Sequence, residues 1–289
     1  MLLHGTVTGA EEPASISAVG LRNAFRVTER IFCGSRPEGD AGFAELARLG
    51  VKTIVSVDGN KPDLASARKY GLRYIHLPFG YDGVPSERVV ELSVAAAIKP
   101  GAIYVHCRHG RYRAPAAVAV MCESTAIWTP AQAEAWLKRA GRGQVYAGLS
   151  QSVREFQQPT SEQLARVGEL PEMAKTSALV DAMVAIGDCL EALTAAQKAG
   201  WNVSPGQPLA PAQTATMLWE QLRDLAGADD TVARPPDFRA RLGDAVKAAD
   251  ALRTNLGKPA RDHTLIEATM NETGLSCAAC HRDFRDKRK

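Results

Sequence analysis

The apolar residues of this chain follow two different periodicities. Up to about residue 150, short runs rich in β-branched and aromatic residues alternate with amphipathic helical segments. Strands are predicted at "RIFCGS", "VKTIVSVD", "LRYIHLPF" and "AIYVHC". Nearly continuous apolar strands that alternate with helices predict a parallel sheet with helices on both faces. Residues 1–155 are therefore predicted to form an α/β domain with a central, mostly parallel sheet.

Beyond about residue 170 the pattern is purely helical. Apolar residues recur at intervals of three and four in four successive segments, whose stripes begin at Leu179, Ala215, Phe238 and Ile266. This pattern predicts an all-α four-helix bundle over residues 171–289. The polar residues 156–170 are predicted to be the linker.

The composition sets a few limits on partners. The 289 residues suffice for two domains, and 35 Lys and Arg against 32 Asp and Glu leave a net charge of +3. So small an excess gives no reason to expect a nucleic-acid partner. No apolar run reaches the roughly 18 residues needed to span a bilayer, so a membrane-spanning protein is not expected. Six cysteines are too few for a disulfide scaffold.

One stretch, "IYVHCRHGRYRAPAAV", places a cysteine and an arginine around a predicted strand end. Cys107 follows the strand, Gly110 comes three residues later, and Arg113 begins the next helix. The backbone N–H groups of this loop and the helix N-terminus favour an anion, and the same field favours the nucleophilic thiolate of Cys107. The planar guanidinium of Arg113 can hold two phosphoryl oxygens.

With His106 in front of Cys107, this stretch resembles the signature loop of the protein tyrosine and dual-specificity phosphatases. "RIFCGSRPEGDAGFAELARLGVKTIVSVDG" resembles the opening of the small, atypical dual-specificity members. The resemblance implies that Cys107 is the nucleophile, that Arg113 binds phosphate and that His106 orients the loop. It implies a phosphorylated protein or a small phosphate ester as the substrate, bound by Arg108, His109, Gly110, Arg111 and Tyr112.

The same resemblance implies an aspartate as general acid. Asp82, in "LPFGYDGVPSERV", is the first candidate, and Asp58, at another strand end, is its competitor. Asp82 precedes Cys107 by fewer residues than is usual in the family, so the intervening helix must be short. Ala114 stands where the family usually has Ser or Thr, whose hydroxyl helps the thiolate to leave. Either the phosphocysteine breaks down slowly, or the domain only binds phosphate.

The end of the chain carries Cys277-Ala-Ala-Cys280-His281, the attachment pattern of c-type haem. Two thiols three residues apart on one helical face can add to both vinyl groups of one porphyrin, and the next imidazole can reach the iron. A tetrahedral metal site would need a second pair of soft ligands, which is missing from this region. "CAACHRDFR" resembles the cytochrome c′ family. This implies haem c as cofactor, His281 as iron ligand and Arg285 near that imidazole. At the sixth iron position, methionine Met183 and an empty site remain equal alternatives.

Two functions therefore stand side by side. The first is a cysteine-dependent phosphatase fused to a haem domain with a redox or gas-sensing role. The second is a haem electron-transfer or sensor protein whose phosphatase-like domain is a non-catalytic phosphate-binding module. Covalent haem implies a bacterial periplasmic location, although residues 1–20 lack the basic start and apolar core of a signal peptide. A gas ligand or redox partner at the haem, and a second copy of the chain in a homodimer, are the other partners considered.

Overall fold

The computed structural model describes residues 12–143, 146–202, 210–260 and 262–286. The chain divides into two compact units, one that ends at Lys175 and one that begins at Thr176. Within the described ranges, none of the helices combines the length and apolar character that crossing a bilayer requires.

The described part of the first unit contains one mixed sheet. Its strands are β1 (Ala14–Ser15), β2 (Phe25–Arg26), β3 (Ile31–Ser35), β4 (Val51–Ser56), β5 (Arg73–His76) and β6 (Ala102–Cys107). Their order across the sheet is β1-β2-β3-β6-β4-β5. The last four are parallel to each other, and β1 and β2 add an antiparallel edge. The predicted parallel strands are confirmed, and β6 lies at the centre of the sheet.

Helices cover both faces of this sheet. They are α1 (Gly39–Arg48), α2 (Leu64–Lys69), α3 (Ser86–Ala96), α4 (Arg113–Ser124), α5 (Pro130–Ala140), α6 (Ala147–Arg154) and α7 (Ser161–Ala165). On one face, α1 and α2 bury a core with alternate strand residues such as Ile54. On the other face, α4 and α5 bury a second core that includes Val105. A sheet apolar on both faces explains why its strands read as continuous apolar runs.

The predicted linker, residues 156–170, lies within the first unit. Thr160 and Gln163 form a reciprocal capping box at the start of α7. Leu170 is buried against the same core as α4. The first unit thus continues to Lys175, beyond the predicted linker. A polar composition did not reveal this because only single apolar residues of the segment reach the core.

The second unit is helical, as the periodicity predicts. Its helices are α8 (Ala178–Lys198), α9 (Pro211–Gly227), α10 (Asp229–Val232), α11 (Pro236–Leu256) and α12 (His263–Phe284). Extensive packing joins α8 to α9, α9 to α11 and α11 to α12, around one core. At one end α8 and α12 are also linked, because Glu267 accepts hydrogen bonds from Trp201 Nε1 at 2.7 Å and from Gln197 at 2.5 Å. A closed four-helix bundle stays a prediction.

The stripe predicted along α12 is only partly buried. Ile266, Met270, Thr273 and Cys280 are buried, as expected from their spacing. Cys277 is only partly buried, and Phe284 is 37% exposed with its ring edge-on to Phe238. Among the described residues the most extensive packing of α12 is against α11.

Candidate active site

Cys107 is the last residue of the central strand β6. Its neighbour across the parallel pair is Ser35, the last residue of β3. Because the carboxyl ends of parallel strands meet at one edge of a sheet, the residues that follow β3, β4 and β6 converge there. Cys107 is 4% exposed, and α4 begins six residues further on at Arg113.

The loop between Cys107 and α4 passes very close to the end of β3. Gly110 has φ +70°, and a Cβ atom there would lie 2.3 Å from the main-chain carbon of Gly34. The loop carbonyl of His109 accepts a hydrogen bond from the Asn23 side chain at 2.8 Å. Glycine is thus required at position 110 both by conformation and by space.

Two arginines of the loop have buried donors without an acceptor. The Nε atoms of Arg111 and Arg113 are inaccessible to solvent and make no hydrogen bond in the described structure. Burial lowers the pKa of Arg113, but the charges of Tyr81, Cys107 and Asp58 outweigh it and hold the pKa above its usual value. Buried donors are almost always paired in proteins, so these two indicate a place for an anion.

His106 lies beneath the loop as a neutral imidazole. Its Nε2 is hydrogen-bonded to the Tyr74 hydroxyl at 2.6 Å. Burial lowers the pKa of His106 to about 4, although the Asp58 carboxylate acts in the opposite direction. Sequence reasoning assigned His106 to the loop but did not find Tyr74, because Tyr74 lies on β5, which β4 separates from β6, and no sequence spacing records that arrangement.

Asp58 is fully buried behind the loop. Its Oδ1 accepts the Asn60 backbone N–H at 2.7 Å, and its Oδ2 lies 3.9 Å from His106 Nδ1. Asp58 Oδ2 and His106 Nδ1 both lack a hydrogen-bond partner. A carboxylate without solvent exposure that faces a histidine is not placed to protonate a leaving group.

Asp82 is exposed, on the loop between β5 and α3. Helix α3 has only 11 residues, which agrees with the short spacing in the sequence. The ring centroid of the preceding residue, Tyr81, lies 4.7 Å from the guanidinium carbon of Arg113. The loop that carries Asp82 therefore lies beside the loop that carries Cys107.

Helix α6 supports the Asp82 loop from behind. Ser152 Oγ accepts the backbone N–H of Val84 at 2.9 Å. A Cβ atom on Gly148 would lie 2.1 Å from the Asp82 carbonyl oxygen, so only glycine permits this approach. Neither residue was singled out from the sequence, because α6 lacks the catalytic residue types that draw attention.

Three tyrosine rings contact one another in a row that begins at Tyr81, beside Arg113. The rings of Tyr81 and Tyr146 are 4.4 Å apart, and those of Tyr112 and Tyr146 are 5.0 Å apart. Only Tyr112 was predicted to contact substrate. Ala114, in the first turn of α4, is fully buried.

The predicted haem residues lie on the last helix and its end. Cys277 and Cys280 are unpaired thiols one turn apart on α12, and His281 follows directly. Burial, followed by the charge of Arg285, lowers the pKa of His281 to about 4, so that the imidazole is neutral. Met183, on α8, is partly buried against the core to which Cys280 also belongs.

This donor set fits a covalently held haem. Two unpaired thiols at a spacing of three residues can take both vinyl groups, and a neutral imidazole is the form that binds iron. Among the described residues no group of three or more His, Cys, Asp and Glu side chains could hold a bare metal ion. Haem iron does not need such a group, because the porphyrin supplies four of its ligands.

Part of the first unit matches a known protein family. Residues 24–167 match the family model described as "PTP-SAK: Swiss Army Knife protein, DSP-PTPase phosphatase domain". No curated protein matches the chain. Residues 24–167 are thus similar to the dual-specificity and tyrosine-phosphatase domains that the loop resembles.

Several solved structures are similar to about half of the chain. The core catalytic domain of the PP-IP phosphatase SIW14 from S. cerevisiae is 19% identical (TM-score 0.43) over 49% of this chain and 89% of its own. TpbA from P. aeruginosa is 21% identical (TM-score 0.38) over 52% and 99%. Human DUSP28 is 22% identical (TM-score 0.39) over 49% and 95%.

Proposed function

We propose that the chain is a cysteine-dependent phosphatase that hydrolyses phosphomonoesters through a phosphocysteine. The observation that carries this proposal is the pair of buried, unpaired Nε–H donors of Arg111 and Arg113 in the loop that begins at Cys107. A loop of backbone amides, two guanidinium groups and a thiol at the N-terminus of α4 is suited to a phosphoryl group.

In the first step the Cys107 thiolate attacks phosphorus. The S–P bond forms, the bond from phosphorus to the ester oxygen breaks, and the proton of Asp82 moves to the leaving oxygen. In the second step water attacks the phosphocysteine. The S–P bond breaks, Asp82 takes a proton from the water, and inorganic phosphate and the thiolate are released. Arg113 neutralises charge on the phosphoryl oxygens in both steps.

Asp82 is preferred to Asp58 as general acid because of burial. Asp58 is fully buried and faces His106, whereas Asp82 is exposed beside the ring that contacts Arg113. Asp58 instead contributes to the environment of His106.

Ala114 supports the second candidate, a module that binds phosphate without turnover. With a buried methyl group at this position, no hydroxyl is available there to stabilise the departing thiolate. The two candidates differ in one observable, since both bind phosphate and only the phosphatase releases alcohol from an ester.

A steady-state assay on the full chain separates them. With an aryl phosphate, we expect turnover in the parent protein and none in Cys107→Ser, because a hydroxyl at its ordinary pKa is a poor nucleophile. Cys122→Ala is the matched control, since burial raises the pKa of that thiol to about 12 and it lies outside the loop. Binding of inorganic phosphate without turnover would establish the non-catalytic module.

We further propose that Cys277 and Cys280 carry a covalent haem with His281 as iron ligand. When bound, the haem supplies an iron that can change oxidation state or bind a small gas. The two thiols hold the porphyrin, and the neutral imidazole of His281 is ready to bind without losing a proton. Arg285 lies beside that imidazole, and Met183 is the candidate for the sixth position. Attachment of this kind takes place outside the bacterial cytoplasmic membrane, so a periplasmic location belongs to the same proposal.

Absorption spectra test the haem proposal. Co-expression with a haem-attachment system is expected to give a haem that denaturation does not extract, and Cys277→Ala with Cys280→Ala is expected to lose it. Cys189→Ala is the control, because that buried thiol lies on α8 outside the motif. Met183→Leu is expected to change the spectrum only if methionine is the sixth ligand. A motif double variant that keeps a denaturation-resistant haem would refute this proposal.

A further inference from the structure

A buried histidine holds the segment that leads out of the first unit. Residues 171–174, here named the tether, pair with the edge of β5. The backbone N–H of His76 donates a hydrogen bond to the backbone carbonyl of Pro171 at 2.8 Å. The Ala174 N–H donates to His76 Nδ1 at 3.2 Å. His76 is 1% exposed, and α8 begins four residues after the tether, at Ala178.

The same imidazole contacts the strand end behind the catalytic loop. His76 Nε2 lies 2.8 Å from the main-chain oxygen of Asp58. Because Nδ1 accepts from the Ala174 amide, the proton is on Nε2, which donates to Asp58. Burial lowers the pKa of His76, which favours this neutral form. The tether and Asp58 are therefore joined through one imidazole of fixed tautomer.

Asp58 in turn faces the residue that precedes the nucleophile. Its Oδ2 and His106 Nδ1 are 3.9 Å apart, and both atoms are buried without a hydrogen-bond partner. The donor–acceptor distance of such a bond is about 2.7–3.2 Å, so a movement of about 1 Å would form it. Buried polar atoms are rarely left unpaired, and two that face each other indicate a pair held apart by its surroundings.

We propose that His76 is a positioning residue through which the tether holds Asp58 away from His106, and so keeps Cys107 reactive. The regulatory meaning of this inference rests on the proposed function. When the tether is released from His76, Asp58 is free to close on His106. Its negative charge then moves toward the loop and disfavours the Cys107 thiolate. The position of the tether thus controls the reactivity of Cys107.

The test measures the reactivity of Cys107 directly in the full chain. Iodoacetamide alkylation is followed at Cys107 by peptide mass spectrometry at neutral pH, beside kcat and KM for an aryl phosphate. His76→Phe removes both imidazole contacts, and Ala174→Pro removes the amide that donates to His76. The matched control is Glu172→Gln, which breaks the exposed ion pair between Glu172 and Arg68 in the same segment.

We expect both variants to slow alkylation of Cys107 by about fivefold or more, the lower end of typical coupling between sites. In both variants we expect kcat to fall with little change in KM. In Glu172→Gln we expect the alkylation rate of Cys107 to stay within about twofold of the parent rate. In the double variant, Ala174→Pro should add nothing to His76→Phe, because both interrupt one path. His76→Gln, which retains a donor toward Asp58, should restore part of the alkylation rate.

Unchanged Cys107 alkylation in a folded Ala174→Pro protein would overturn the inference, even if His76→Phe fails to fold. Additive effects in the double variant would do so as well. Alkylation that responds as expected in a protein without turnover would uphold the coupling and refute the proposed phosphatase, so the two failures are distinguishable.

Discussion

The two aspartates near the loop differ in what surrounds them. Asp58 has no solvent exposure and shares a buried site with His106, whereas Asp82 is exposed on a loop that packs beside Arg113 through Tyr81. A general acid must reach the leaving oxygen of a bound substrate, and of these two aspartates Asp82 is the exposed one, so we propose Asp82 for that role.

Asp82→Asn is expected to lower the rate by about 10² to 10⁴ for poor leaving groups and much less for good ones. The acidic-to-neutral pH profile should flatten at the same time. Asp58→Asn is the comparison, and it should leave the dependence on leaving group unchanged. If Asp58→Asn alone shows the leaving-group effect, the assignment of Asp82 is wrong.

Glu123 is a buried carboxyl outside the site. It lies on α4, is 6% exposed, and neither side-chain oxygen has a partner. Burial raises the pKa of Glu123 to about 7 from a usual value of 4.5. The folded state therefore binds this proton more tightly than the unfolded state. The resulting stability is fully present below pH 4.5 and is lost as the pH rises through 7.

Glu123→Gln should remove this pH dependence. We expect the variant to exceed the parent at pH 8 by about 1–3 kcal/mol in free energy of unfolding, because the carboxyl ionises at that pH and the amide stays neutral, and one unit of pKa shift corresponds to about 1.4 kcal/mol. The measurement is the urea midpoint of unfolding of the parent and of Glu123→Gln at pH 5.5 and at pH 8, followed by pulsed hydrogen exchange of the α4 amides. If the urea midpoint changes by the same amount between pH 5.5 and 8 in both proteins, the prediction is wrong.

At the residue scale, sequence reasoning located the groups that lie in one continuous loop. Cys107, Gly110 and Arg113 follow each other at short spacing, so the sequence alone brings them together. Asp58 and His76 reach the loop through strand register and a single imidazole, and no sequence spacing records such contacts.

At the scale of elements, the support of the Asp82 loop by α6 has a consequence for catalysis. The main chain of Asp82 packs against Gly148 so closely that a Cβ atom has no space. Any side chain at position 148 must displace the loop that carries Asp82, the proposed general acid.

Gly148→Ala is expected to reduce kcat by up to about 10²-fold, the effect of a displacement near 1 Å on a catalytic group. The loss should be greater for poor leaving groups, because the acid matters most for them. Gly168→Ala is the control, since nothing lies within 4 Å of a Cβ atom there. A folded Gly148→Ala protein with the parent rate would show that the loop tolerates the change.

Helices with local signals were predictable and contacts between elements were not. The capping box at Thr129 and Gln132, with Pro130 in the first turn, begins α5, and all three residues lie within four positions of the sequence. Strands β1 and β2 have two residues each, too few to show a periodicity. The segment 156–170 reads as a linker because its polarity is visible in the sequence, whereas the burial of Leu170 is not.

At the scale of the whole molecule, one chain carries two compact units with separate cores. The sequence shows a change of periodicity near residue 150, because strands buried on both faces and long helices bury apolar residues at different intervals, whereas the first unit continues to Lys175. The phosphatase-like unit was identifiable from its loop. The cofactor of the helical unit rests on a five-residue motif, so it remains a proposal that spectra can decide.

The central claim is that Cys107 carries the phosphoryl group during turnover. The most direct measurement mixes the full chain with an aryl phosphate, quenches with acid within the first turnovers, and locates phosphate by peptide mass spectrometry. We predict phosphate on the Cys107 peptide, at lower occupancy in Ala114→Ser, because a hydroxyl there should hasten breakdown. Alcohol released while Cys107 stays unmodified, or sustained turnover by Cys107→Ser, would contradict the account.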